Sequence, residues 1–189
     1  MFFDFASFLP RAVMQGIPLL YGSTGEILTE KSGNLNLGIP GIMYVGGICG
    51  VIGAFFYEQS TPAASMNGLL AVGIPMLCSL LGSLLMGLLY CLLTVTLRAN
   101  QNVTGLALTI FGTGVGQYLG EFMRVQEGTY VAVSNTLKAA FNNSPFPAAL
   151  QQLPVVGSLL FGHSIFTYLG IAMAVAMGLY LRRSRSGLY

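Results

Sequence analysis

Four long stretches without a single charged residue constrain this chain more than any other feature of its sequence. Residues 32–57, 59–97, 99–120 and 139–181 contain no Asp, Glu, Lys or Arg, and apolar side chains dominate each of them. A helix that crosses a bilayer needs roughly 20 mainly apolar residues, so every stretch is long enough to hold one. The sequence therefore predicts an all-α, polytopic integral membrane protein.

The composition supports this reading, because 54% of the 189 residues are hydrophobic and only 7% are charged. A mean hydropathy of +0.72 lies outside the range of an ordinary water-soluble domain. We predict a single transmembrane domain over residues 1–189, surrounded by membrane lipid and containing about five transmembrane helices. They are expected at about residues 9–28, 37–57, 68–97, 103–123 and 159–181.

The orientation follows from the basic residues at the end of the last predicted span. Arg182, Arg183 and Arg185 come directly after it, and Lys and Arg are enriched on the cytoplasmic side of membrane proteins. With five spans, the C-terminus is then cytoplasmic and the N-terminus is outside. Residues 124–158 become an extracytoplasmic loop, in which the amphipathic residues 148–153 could lie along the membrane interface.

A dense polar cluster at residues 26–38 separates the first two predicted spans. Its segment Ser32–Gly38 combines two Gly with two Asn, which favours unwound backbone and predicts a broken helix near residues 29–40. Unwound backbone cannot face lipid, so the segment would face protein or a water-filled cavity. The alternative is a short cytoplasmic loop at residues 29–36, with Asn34 capping the next helix.

Polar side chains at membrane depth usually mark a substrate pathway. In the cluster, the candidates for such a pathway are Glu26, Glu30, Asn34 and Asn36.

A second polar set follows about seventy residues later in the sequence. Thr109, Thr113 and Gln117 recur every four residues, so they share one face of a helix. This stripe could line the path of a hydroxyl-rich solute, or its members could hydrogen-bond to a neighbouring helix. All three residues are therefore candidates for the same pathway.

Glycines recur along the predicted spans, notably between Gly46 and Gly53 and between Gly112 and Gly120. Faces of small residues allow helices to pack closely in membranes, and we expect these glycines to serve packing more than ligand binding.

Several classes of function are disfavoured. The chain has one His and three Cys, and the cysteines lie in apolar runs without ligand spacing, so we expect no metal site, no cofactor and no embedded catalytic centre. No Gly-x-x-x-x-Gly-Lys-Ser/Thr loop occurs, so ATP hydrolysis would need a separate subunit. A net charge of +2 gives no reason to expect a nucleic-acid partner.

Residues 25–38, GEILTEKSGNLNLG, resemble the signature of permeases from binding-protein-dependent ABC importers of nucleosides and simple sugars, a group of the branched-chain-amino-acid and ribose type. Residues 103–108 and 182–189 resemble later segments of that family in the same order. The resemblance implies a multi-pass permease of the bacterial cytoplasmic membrane. It also implies three partners: a cytoplasmic ABC ATPase, a second homologous permease and an extracytoplasmic solute-binding protein.

Two positions depart from the family pattern, because Pro40 stands where Glu is expected and Thr109 stands where Asn is expected. Family members are also longer, so the chain is expected to be an N-terminal portion. The competing interpretation is a stand-alone small channel or a structural membrane protein, which would need no ATPase.

Overall fold

The computed structural model describes residues 5–62, 65–127, 132–147 and 157–183. Within these ranges the chain is helical and forms no strand, which confirms the all-α prediction. The helices are α1 (Phe5–Lys31), α2 (Ile39–Ser60), α3 (Gly68–Cys91), α4 (Gln101–Glu127), α5 (Asn135–Asn142) and α6 (Ile165–Arg183). Two π-helical turns accompany them, Leu92–Thr96 directly after α3 and Gly157–Phe161 before α6.

Three of the described helices are long and apolar enough to cross a membrane. They are α2, α3 together with its π-helical turn, and α6. Helices α1 and α4 have 27 residues each, which exceeds the length of a span, but they carry more charged and polar residues. The polytopic membrane fold is thus confirmed, and the count of five spans stays a prediction.

The helix boundaries differ from the predicted spans mainly near the C-terminus. The last helix begins at Ile165, because residues 162–164 are not helical and separate it from the π-helical turn before it. The short helix α5 was not predicted. The amphipathic residues 148–153 lie outside the described residues.

The described chain forms two compact units, and the first consists of residues 32–140. In this unit α2 packs against α3 and α4 around a core formed by Val45, Met86, Tyr90 and Leu108. Large apolar side chains on the other faces of these helices are exposed, as in Leu85 (68%) and Ile110 (73%). Such exposure suits a surface that faces lipid.

Helices α2 and α3 pack through reciprocal pairs of small residues. A Cβ atom added to Gly53 would lie 2.8 Å from Cβ of Cys78, and one added to Gly82 would lie 2.9 Å from Cβ of Cys49. Gly46 faces the hydroxyl of Ser83 in the same way. The predicted packing role is confirmed for Gly46 and Gly53, since each admits a side chain from the facing helix, whereas Gly47 faces open space.

The second unit contains residues 1–31 and 141–189, and here α1 packs against α6. The hydroxyl of Tyr21 donates a hydrogen bond to the carbonyl of Phe166 at 2.8 Å. Its ring lies over Gly170, where an added Cβ would come within 2.9 Å. Nearby, the ring of Phe146 packs edge-on against Phe161 and Tyr168, with centroids 5.0 and 5.2 Å away.

Candidate functional site

A non-helical segment separates α1 from α2, as the broken-helix reading and the short-loop alternative both predict, and we call it the signature loop (residues 32–38). Helix α1 ends at Lys31, and Gly33 follows with φ = +85°. This left-handed conformation costs glycine little and is common directly after a helix. The Gly in this position thus explains why the helix stops where it does.

Asn36 organises the start of α2. Its side-chain Oδ1 accepts a hydrogen bond from the backbone N–H of Gly38 at 2.9 Å, and Asn36 is only 6% exposed. The carbonyl of Gly38 then accepts from the N–H of Ile42 at 3.0 Å, with Pro40 in the first helical turn. Pro fits there because its missing N–H has no partner to lose.

Asn34 does not cap α2, so that part of the alternative reading was wrong. Its Oδ1 instead accepts a hydrogen bond from Nε2 of Gln101, at the start of α4, at 2.9 Å. The Oε1 atom of the same Gln101 accepts from the backbone N–H of Leu35 at 3.0 Å. One amide side chain therefore uses its donor and its acceptor on two consecutive residues of the signature loop.

Two hydroxyl groups hold the carbonyls of the signature loop. Tyr90, which is 7% exposed, donates to the carbonyl of Leu35 at 2.7 Å. Thr109 of α4 donates to the carbonyl of Leu37 at 2.8 Å. Together with Gln101, they satisfy backbone groups that would cost several kcal/mol each if they were left unpaired in a membrane.

The backbone of α4 approaches the loop closely at Gly105. A Cβ atom at this position would lie 2.8 Å from the backbone nitrogen of Leu37 and 3.0 Å from that of Gly38. Any side chain here would push the loop away from α4. The loop is therefore held by α3 and α4 through its backbone and through the side chain of Asn34. The close approach of α4 requires glycine at position 105.

The structure brings together three of the seven predicted pathway residues: Asn34, Asn36 and Thr109. Further along α4, the hydroxyl of Thr113 donates to carbonyls of its own helix, those of Thr109 and Ile110, at 3.0 and 2.9 Å. Gln117, one turn on, is exposed and makes no hydrogen bond among the described residues.

Glu26 and Glu30 lie in the last turns of α1, which belongs to the other unit. Glu26 is half-buried, and its Oε2 lies 3.4 Å from the hydroxyl of Thr29. Within the part of the chain that the structure describes, no group of three or more His, Cys, Asp or Glu is arranged to hold a metal ion.

Sequence reasoning missed Tyr90 and Gln101. Gln101 belongs to the polar run at residues 100–102, which signals a loop or helix start but not a partner. Tyr90 lies in an apolar run, and its hydroxyl was the only sign of a polar role. Each of these residues bonds to a partner far away in the sequence. The separation is 67 residues for Gln101 and Asn34, and 55 residues for Tyr90 and Leu35.

We expect Tyr90→Phe to loosen the signature loop without changing the core. The variant keeps the ring and removes one hydrogen bond, so it should lower the stability of the protein by about 1 kcal/mol. Thermal unfolding in detergent measures this. Tyr180→Phe is the control, because Tyr180 is 54% exposed on α6 and should tolerate the change; equal losses in both variants would contradict the role of the Tyr90 hydroxyl.

The fold and this loop define a polytopic helical membrane protein whose candidate site is formed by unwound backbone and the groups that bind it. Residues 9–189 match the family described as branched-chain amino acid transport system permease components. The chain belongs to this family, and it is a multi-pass protein of the cytoplasmic membrane.

Three curated relatives are similar over nearly the whole chain. The "Putative glucose ABC transporter permease protein TsgC13" of Haloferax volcanii is 29% identical over 98% of this chain. The guanosine ABC transporter permease NupQ of Bacillus subtilis is 24% identical over 95%. The nucleoside ABC transporter permease NupC of Lactococcus lactis subsp. cremoris is 28% identical over 90%.

The matched regions cover 51%, 53% and 50% of these relatives, so the chain spans about half the length of the curated relatives it matches. No solved structure matches the chain. The resemblance to permeases of nucleoside and simple-sugar ABC transporters, stated from the signature residues, is confirmed by these comparisons.

Proposed function

We propose that this protein is the transmembrane permease subunit of an ABC importer for nucleosides or simple sugars. The observation that carries the proposal is the signature loop, whose backbone is held by Tyr90, Gln101 and Thr109 inside a membrane-protein fold. Unwound backbone at such a position is typical of transporters, where it lies beside a cavity. The names of the relatives support the same class of solute.

The proposed importer has three further components. A cytoplasmic ABC ATPase supplies the energy by hydrolysing ATP, so this chain itself has no catalytic role. A second homologous permease completes the pathway, and an extracytoplasmic solute-binding protein delivers the solute. Permeases of ABC transporters generally work with an ATPase and a binding protein. The names of the relatives, which are ABC transporter permeases, support such an assembly.

Within this proposal the seven candidate residues divide into two groups. Asn34, Asn36 and Thr109 shape the pathway indirectly, because their side chains are engaged in holding the signature loop. Glu26, Glu30, Thr113 and Gln117 are the candidates for direct contact with solute. Hydroxyl, amide and carboxylate groups suit the hydroxyls of a ribose or a hexose, which both donate and accept hydrogen bonds.

The test is solute uptake by host cells that carry or lack the gene containing this chain. We expect deletion to abolish uptake of a labelled nucleoside or sugar, and competition among unlabelled solutes identifies the class. Inactivating the phosphate-binding Lys of the partner ATPase should abolish uptake as well. Uptake that survives without the ATPase would instead support the stand-alone channel.

The predicted orientation gives a separate prediction. Single cysteines at Asn143 and at Ser184, in a protein with its native cysteines replaced, should react differently with a membrane-impermeant maleimide. Asn143→Cys should react in intact cells, whereas Ser184→Cys should react only after permeabilisation. The reverse pattern would overturn the orientation derived from Arg182, Arg183 and Arg185.

A further inference from the structure

A groove between α3 and α4 opens on the surface of the unit formed by residues 32–140. Both helices pack mainly against α2, which leaves a gap of about 290 Å³ between them. Its walls are apolar side chains from α3, from the π-helical turn after it and from α4: Leu89, Leu93, Val103, Ala107, Leu108 and Phe111. Thr104 is the one polar residue in this lining, and it is buried. The groove therefore suits a hydrocarbon chain and offers little to a hydroxyl-rich solute.

The length of the groove matches the depth of one leaflet of a bilayer. Val103 and Phe111 mark its ends on α4, and they lie about 12 Å apart along the axis at 1.5 Å per residue. Half of the hydrocarbon core of a bilayer is about 15 Å thick. Val103 is 65% exposed and Phe111 is 53% exposed, so a lipid chain can enter the groove from the side.

A single basic residue, Arg98, lies beside the end of the groove that Leu93 and Val103 form. The N–H of Ala99 donates to the carbonyl of Leu93 at 2.9 Å, which holds the turn containing Arg98 at this place. Arg98 is exposed, and it makes no ion pair within the described ranges. The other charged residues of this unit lie toward the opposite end of its helices: Glu58, Glu121, Arg124, Glu127 and Lys138. Arg98 is thus an isolated positive charge at the mouth of an apolar groove.

The backbone at Arg98 indicates that its side chain has a task. Its φ is +53°, and no other residue except glycine has a positive φ in the described ranges. This left-handed conformation is unfavourable for a residue with a Cβ atom, and glycine would adopt it freely. The guanidinium is therefore kept at a position that the backbone alone would assign to glycine.

We propose that the groove binds an acyl chain of an anionic phospholipid whose phosphate pairs with Arg98. A guanidinium can bind a phosphate through two parallel N–H donors. The predicted orientation puts residue 98 on the cytoplasmic side, where anionic lipids create a negative surface potential. Charge complementarity thus favours an anionic lipid over a zwitterionic one or an apolar helix. This inference does not depend on the solute that the protein carries.

The chain contains no Trp, so one introduced Trp reports on the groove alone. In Phe111→Trp, with the full chain reconstituted in phosphatidylcholine bilayers, quenching by lipids with brominated acyl chains measures which lipid occupies the groove. Brominated phosphatidylglycerol should bind there roughly fivefold more tightly than brominated phosphatidylcholine. Leu85→Trp is the matched reporter, because Leu85 lies on an exposed face of α3 outside the groove, and it should show no preference.

Substitutions of Arg98 in the Phe111→Trp protein test the role of the charge. Arg98→Gln should reduce the preference for phosphatidylglycerol to less than about twofold, and Arg98→Lys should keep most of it because the charge remains. Arg124→Gln is the control, since Arg124 is also exposed but pairs with Glu121 on its own helix, and it should leave the preference unchanged. A full preference in Arg98→Gln would overturn the pairing of the phosphate with Arg98.

Filling the groove tests the binding of the acyl chain. Ala107→Phe places a ring in the groove and should abolish the preference, whereas Ala176→Phe on an exposed part of α6 should not. Equal quenching of Phe111→Trp by both lipids would overturn the proposal, because the groove would then be an ordinary lipid-facing surface. Quenching by neither lipid, with normal quenching of Leu85→Trp, would also overturn it, because protein would then cover the groove.

Discussion

Replacing Gly112 by Ala is expected to disrupt the contact between α2 and α4. A Cβ atom at Gly112 would lie 2.6 Å from the backbone oxygen of Gly41, and one at Gly41 would lie 2.6 Å from the backbone oxygen of Leu108. Backbone atoms cannot rotate away as a flexible side chain can, so the helices must separate. We expect either Gly→Ala change to cost roughly 1–3 kcal/mol, the usual range for overpacking.

The same two helices offer controls for this prediction. Gly47 of α2 and Gly114 of α4 have open space where a Cβ atom would be placed. Ala at these positions should be neutral or stabilising by up to about 1 kcal/mol, because Ala has the higher helix propensity. Thermal unfolding of all four variants in one detergent gives the comparison, and four equal effects would refute the close packing of α2 on α4.

Replacing Asn36 by Leu is expected to abolish most uptake in a complete importer. The side chain of Asn36 is buried, and its loss leaves the N–H of Gly38 without its acceptor. An unpaired buried donor costs about 1–3 kcal/mol, and here the cost falls on the junction between the signature loop and α2. Insertion should be unaffected, because Leu only makes the segment more apolar.

Asn102→Leu is the control for this variant. Asn102 is exposed in the first turn of α4, where only its backbone N–H is engaged, by Asn100. It should retain insertion and uptake. Wild-type uptake by Asn36→Leu at equal expression would show that the signature loop does not need its helix-starting hydrogen bond for transport.

Much of the fold was predictable because the signals were local. Uncharged stretches reveal membrane helices directly, and the glycines and carboxamides at residues 32–38 predicted the break between α1 and α2. The end of α1 and the start of α2 also follow from single residues. Gly33 has a left-handed conformation just after α1, and Pro40 lies in the first turn of α2.

The partners across the fold were not predictable, because hydropathy and periodicity describe one segment at a time. Nothing in the apolar run around Tyr90 indicates that its hydroxyl reaches Leu35. The glycines are a similar case: Gly46 faces Ser83 closely, whereas its neighbour Gly47 faces open space. Which face of a helix meets another helix depends on the packing of the whole unit, which local sequence patterns do not reveal.

We propose that this chain belongs to a permease driven by a separate ATPase. The most direct measurement is solute accumulation in proteoliposomes that contain the permease in its native assembly, with ATP enclosed alongside the ATPase domains and the solute-binding protein outside. We predict accumulation of a nucleoside or simple sugar that stops when ATP or the binding protein is omitted. Solute entry that continues at the same rate without both would contradict the account.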